Sequence, residues 1–188
     1  MKIKAIITLA ISAMLSLSAM AQEKQTITVN GVTFKMIKVE GGTFKMGAQS
    51  SDPNGENYDS EAISLEQPVH SVTLSDYYIG ETVVTQELWE AVMGTNPSFF
   101  SGSNKPVECV SWDDCQKFIQ KLNQLTGQTF SLPTEAQWEF AARGGNLSKG
   151  YKYSGSNDLD SVAWYSSNSN YNSHPVAQLQ SNELGLYD

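Results

Sequence analysis

The segment from Leu132 to Gly145, LPTEAQWEFAARGG, constrains this chain more than any other, because it spells out a helix with both ends marked. Pro133 stiffens the approach, Thr134 is a good N-cap, and Gln137 stands three residues on, where its side chain reaches back to close a capping box. The spacing predicts a short helix that begins at Glu135, whose carboxylate sits at the positive end of the helix dipole. Arg143 falls in its last turn and Gly144 supplies a left-handed residue beyond it. Trp138, Ala141 and Ala142 recur at i, i+3 and i+4, which predicts a narrow core-facing stripe of one large and two small side chains.

The rest of the chain reads as hairpins, short helices and long loops. From Thr26 to Val39 apolar and polar residues alternate about Asn30-Gly31, a strong signal for a type I′ hairpin. Gly41-Gly42 breaks this pattern before a short strand through Phe44 and Met46, and Val69–Leu74 and Tyr77–Ile79 read as further strands. Thr85 caps a predicted helix from Gln86 to Met93, closed by Gly94. A longer helix starts after Ser111, with Asp114 completing its cap. It presents Cys115, Phe118, Ile119, Leu122 and Leu125 to the core before Gly127. Beyond Gly145 the composition turns to Tyr, Ser, Asn and Gly, which predicts irregular loops. No βαβ alternation is present, so the fold class is α+β. Trp89, Trp112, Trp138 and Trp164 are predicted core anchors, since no basic side chains interleave with them as a stacking platform for nucleic acid requires.

Residues 48–66 carry Asp52, Glu56, Asp59, Glu61 and Glu66 around Pro53 and Gly55. Asp52, Asn54 and Glu56 alternate like the start of an EF-hand, but Asn57 stands where that loop needs Gly and Ile63 where it needs Glu. A solvated acidic loop is the reading that remains.

Lys2 and Lys4 precede an apolar run from Ala5 to Leu17, and Ala19-Met20-Ala21 makes a small-residue cleavage site before Gln22. Residues 1–21 therefore read as a secretory signal peptide, with an N-terminal membrane anchor as the alternative, and the mature chain is expected to be exported, periplasmic or secreted, and free of the membrane. No Cys follows the cleavage site to carry a lipid. The net charge of −8 becomes −10 without the two leader lysines, and no basic run is present, which argues against nucleic acid or an anionic membrane as partner. Cys109 and Cys115 are the only cysteines. With one expected in a strand and the other on a helix's core face, they are predicted to be free, buried thiols, a disulfide or a two-thiol metal site being the alternatives.

Five segments stand in a telling order: GGTFKMG (Gly41–Gly47), EQPVHSVTL (Glu66–Leu74), PVECVSWDDCQKF (Pro106–Phe118), LPTEAQWEFAARGG (Leu132–Gly145) and NELGLYD (Asn182–Asp188). Together they resemble the formylglycine-generating enzyme family, also called the sulfatase-modifying factor family. The resemblance implies a C-type-lectin-like fold of the formylglycine-generating-enzyme type, low in regular secondary structure. Residues 22–35 form an N-terminal hairpin segment, and 36–188 the family domain, expected to be C-terminally incomplete.

The chemistry that the resemblance implies is oxidation of a cysteine in a target sulfatase to formylglycine, with copper held by two thiolates near the C-terminal end. Neither Cys109 nor Cys115 matches those positions, so no catalytic or cofactor-binding residue is assigned, copper is not expected here, and the chain ending at Asp188 is expected to be inactive. A non-catalytic binding or scaffold module on the same fold is the alternative. A second branch of the superfamily holds iron with three histidines, whereas this chain has His70 and His174 alone. His70, in a strand, and His174, before Pro175, are predicted to be structural. The resemblance also implies a structural calcium, with Asn168 and the carbonyl of Asn170 at ligand positions, although Trp164 replaces a ligand Asn. An ordinary turn-forming role is the alternative for Asn168.

Overall fold

The computed structural model describes residues 22–187; the signal-peptide reading of residues 1–21 lies outside them. Strands β1 (Lys24–Val29) and β2 (Val32–Val39) pair antiparallel in the register Val29 to Val32. Asn30 and Gly31 join them at φ 47° and 84°, as a type I′ turn requires. Strand β2 runs unbroken across the 35/36 step. Strands β3 (Thr43–Met46) and β4 (His70–Thr73) form a second, two-stranded antiparallel sheet, and β5 (Tyr77–Gly80) returns to the far edge of β2. Three helices follow: α1 (Gln86–Met93), α2 (Trp112–Thr126) and α3 (Glu135–Ala142). Among the described residues no helix is long and apolar enough to cross a membrane.

All three helices begin where capping chemistry places them. Thr85, Ser111 and Thr134 accept hydrogen bonds from the backbone N–H three residues on, and Asp114 and Gln137 complete reciprocal boxes. Gly94, Gly127 and Gly144 take left-handed conformations at the other ends.

Two apolar clusters sit along the hairpin. In the first, α1 and α2 bring Leu88, Trp89, Val92, Phe118 and Leu122 against Val29, with Trp89 and Phe118 stacked at 4.9 Å and 2°. Cys115 and Ile119 pack at its margin. In the second, α3 brings Phe140 and Ala141 against Ile37, Val39, Leu184 and Leu186. Gln86, in the first turn of α1, is 1% exposed and fully engaged: its amide nitrogen donates to Phe100 O and Pro106 O, and its oxygen accepts from Asn96 and Gly102 N. One buried amide thus shapes the loop between α1 and α2.

Several expected core positions are corrected. Trp138 is 61% exposed, and Phe140 takes the core side of α3 against Phe44 at 5.0 Å. Two residues along a helix are about 200° apart around its axis, so the two rings cannot share a face. Trp112, at the first turn of α2, is 67% exposed, while Trp164 is half-buried. Leu125 stays half exposed; Asn123 pins Phe130 by hydrogen bonds to its N–H and C=O, and Phe130 packs at that side of the cluster beside Phe34. Cys109 lies in a bend at φ 58° rather than in a strand, and is exposed. Both cysteines are free, so the disulfide alternative does not hold.

Candidate functional site

Beyond the burial of Phe140 and Ala141, helix α3 is held to the fold by three polar ties. The Tyr77 hydroxyl donates to Gln137 O at 2.6 Å, and burial pushes that phenol up to about 12. One turn further along, the buried Asn182 donates to Ala141 O at 2.8 Å, while its amide oxygen accepts from Leu184 N and Leu186 N. A third tie runs to the end of β3. Glu139 Oε1 accepts from Gly47 N at 2.9 Å and from Arg143 Nε at 2.8 Å, and Arg143 Nη2 donates to Gly47 O at 3.2 Å. Gly47 has φ 90°, and a Cβ there would collide with Glu66 O, so only glycine brings its two backbone groups onto this ion pair.

The face of α3 left over borders two open clefts that share Ala48, Trp138, Glu139 and Arg143. The first, about 350 Å³, lies between α3 and the 65–70 turn and adds Leu65, Glu66, Pro68, His70 and Glu135. The second, about 710 Å³, runs toward Tyr58, Asp59, Tyr151, Lys152, Tyr153 and Asn157. Trp138 stands on the boundary of both. The acidic 48–66 loop forms one wall and is ordered by its own side chains: Asp52 and Asp59 accept the N–H groups of Asn54 and Glu61, Asn57 donates to Lys45 O and Gly47 O, and Glu56 pairs with Lys45 at 3.0 Å. The groove therefore has firm walls and an exposed aromatic at its centre.

Of the residues weighed from the sequence as bases or metal ligands, His70 lines it, whereas His174, Asn168, Asn170, Cys109 and Cys115 do not. His70 does lie in β4; its Nδ1 is 2.8 Å from Pro68 O and its ring lines the first cleft. His174 stacks on Trp164 at 3.8 Å and 13°, with Nε2 2.9 Å from Ser169 O. Asn168 and Asn170 share one turn. The Asn168 amide oxygen accepts from Tyr165 N and its nitrogen donates to Ala163 O, while Asn170 O accepts from Asn172. Residues 163–176 contain no carboxylate, so two neutral oxygens, each already accepting one hydrogen bond, fit calcium poorly.

A thiolate-bound copper does not fit the cysteines. Cys109 faces solvent and is hydrogen-bonded to the Glu108 carboxylate, which pushes the thiol's pKa up and favours the protonated form that does not bind metal. Cys115 instead packs beside the first apolar cluster. The groove itself escaped the sequence reading, although one signal pointed to it: two aromatics two apart on α3 force one of them outward.

Comparison with known proteins agrees with this architecture. The family model of the sulfatase-modifying factor enzyme 1-like domain matches residues 21–188. A protein named chaperone protein LppX, from Paenibacillus barcinonensis, is 33% identical over 98% of this chain and 77% of its own length. A formylglycine-generating enzyme from Streptomyces coelicolor is 25% identical over 62% of this chain and 49% of its own, so the chain spans about half the length of that enzyme. Among solved structures, Treponema denticola variable protein 1 superposes with a TM-score of 0.72 at 33% identity, covering 87% of this chain and 72% of that one. PvdO from Pseudomonas aeruginosa, with TM-score 0.60 and 21% identity over 82% of this chain and 66% of its own, shares the fold. With hairpin, capped helices, loop-rich C-terminal third and family match all in agreement, the chain belongs to the sulfatase-modifying factor enzyme 1-like family and has the formylglycine-generating-enzyme type of C-type-lectin-like fold.

Proposed function

We propose that this protein is an exported polypeptide-binding module, which seats a segment of a partner protein in the groove along α3. The observation that carries the reading is Trp138, a large aromatic 61% exposed on a helix whose other face is buried and which is fixed by hydrogen bonds to the backbone of Gln137 and Ala141 and to the Glu139 side chain. An exposed indole on a rigid support loses little conformational entropy on binding and buries much apolar area, which is why Trp is enriched at the energetic centres of interfaces. Tyr58 and Tyr151, further along the groove, extend the aromatic surface. The similarity to a protein named as a chaperone points the same way.

Cysteine oxidation is the second reading, supported by the similarity to formylglycine-generating enzymes. It requires a pair of thiolates on one metal, and the surroundings of Cys109 and Cys115 oppose that. Within the binding reading, Asn168 holds a turn rather than an ion, and the leader directs the chain out of the cytoplasm. A sulfatase is one partner that the family resemblance suggests.

The test uses the purified chain with a reduced, carboxymethylated polypeptide as an unfolded ligand, and in parallel a cysteine peptide of sulfatase type with copper and oxygen. The proposal expects saturable binding of the unfolded polypeptide and no formylglycine by mass spectrometry. Formylglycine formation without polypeptide binding would overturn it.

A further inference from the structure

We infer that the cleft between α3 and the 65–70 turn selects positive charge: resting on the polypeptide-binding reading above, it seats a lysine or arginine side chain of the bound segment against Trp138 and Glu135. The cleft is lined by three carboxylates, Glu66, Glu135 and Glu139, against one guanidinium, Arg143. That guanidinium is already committed to Glu139 Oε1 and Gly47 O. Glu66 is committed as well, its Oε2 accepting from Ile63 N. Glu135 has no hydrogen-bond or ion-pair partner among the described residues.

Glu135, Trp138 and Glu139 fall at i, i+3 and i+4 on one face of α3, so a carboxylate and an indole ring are neighbours along the same wall. This pairing suits an alkylammonium or guanidinium: the ring face attracts the cation through its quadrupole, and the carboxylate accepts its N–H groups. Across the cleft, the Nδ1 of His70 faces the Pro68 carbonyl, which only accepts, so Nδ1 carries the hydrogen and the ring is held at the cleft's edge. Leu65, 88% exposed, and Pro68 provide apolar surface for the aliphatic stem of a long cationic side chain. The whole chain carries −8, so its long-range field also favours a basic segment.

The experiment measures binding of short peptides of equal length, with a single central Lys, Arg, Gln or Glu, to the wild-type chain and to Glu135→Gln and Trp138→Ala. Melting curves confirm that both variants fold. The inference expects the Lys and Arg peptides to bind about tenfold more tightly than the Glu peptide. That preference should shrink with added salt and in Glu135→Gln, whereas Trp138→Ala weakens every peptide. Equal affinity for the four peptides, with Trp138→Ala still weakening them, overturns charge selection and leaves the groove reading standing. A preference for Lys and Arg that survives intact in Glu135→Gln overturns the assigned residue. Failure of every peptide to bind overturns this inference and the groove reading together.

Discussion

Helices α1 and α3 are both eight residues long and capped, each carries one tryptophan, and they use it in opposite ways. Trp89 is 4% exposed and stacked on Phe118, so α1 is held by its apolar face. Trp138 faces out, and α3 is held by Phe140 and Ala141 on its other side, by side-chain bonds to its backbone from Tyr77 and Asn182 and by the tie from Glu139 to Gly47. Packing consumes the face that it stabilises, whereas ties at the backbone leave side chains free. A helix of the second kind can be rigid and still offer a surface.

The largest test of this contrast is a pair of truncations. Trp89→Ala removes a buried ring and should cost about 3–5 kcal/mol in urea denaturation, while Trp138→Ala should stay within about 0.5 kcal/mol of wild type. Equal losses would erase the distinction. Next in size is Asn182→Ala, which strips the partner from the Ala141 carbonyl and from the N–H groups of Leu184 and Leu186. Orphaned buried groups should cost roughly 1–3 kcal/mol, and hydrogen exchange should rise around α3 before it rises around α2.

The α1–α2 side and the α3 side of the molecule should also fail at opposite ends of the pH scale. Hydrogen bonds from the Ser111 side chain and backbone hold the Asp114 carboxyl at about 2, below its ordinary 3.8. A depressed acid contributes stability above its unfolded pKa and loses it as pH falls, so the α2 cap should loosen between about pH 4 and 2. Burial raises the Tyr77 phenol from 10.0 to about 12. A raised pKa contributes stability that is complete below pH 10 and is lost as pH climbs toward 12, so alkali should release α3 first. Amide exchange followed along α2 and α3 at the two extremes checks both signs, and Tyr77→Phe should remove the alkaline step alone.

The smallest expected effect concerns Asn168. Its amide closes a turn onto Tyr165 and Ala163, so Asn168→Ala should lower the melting temperature slightly, and millimolar calcium should leave both proteins unchanged. A calcium-induced rise that vanishes in Asn168→Ala would assign the ion a site there.

What the sequence made legible was the part of the structure that is written locally. The Asn30-Gly31 hairpin, the three N-caps and the left-handed glycines each depend on residues within a few positions of one another, and each formed as expected. Helix α2, with apolar residues on one side, also showed most of its buried face in advance. Helix α3 did not, because Trp138 and Phe140 compete for the core, and the outcome rests on Phe44 and Leu184, far away in sequence. Cys109 was misplaced for a related reason: a single positive φ turns it out of the strand expected there. The groove was hidden most fully, since its walls come from residues 46–70, 135–143 and 148–157, and no local pattern announces their meeting.

The central claim is that one tryptophan is structural and the other receives a partner. It is tested most directly by recording the indole N–H resonances by NMR while a reduced, carboxymethylated polypeptide is added. The account predicts that the Trp138 resonance shifts and broadens saturably while that of Trp89 stays in place. A Trp138 resonance that does not move, or one that moves no more than that of Trp89, would contradict it.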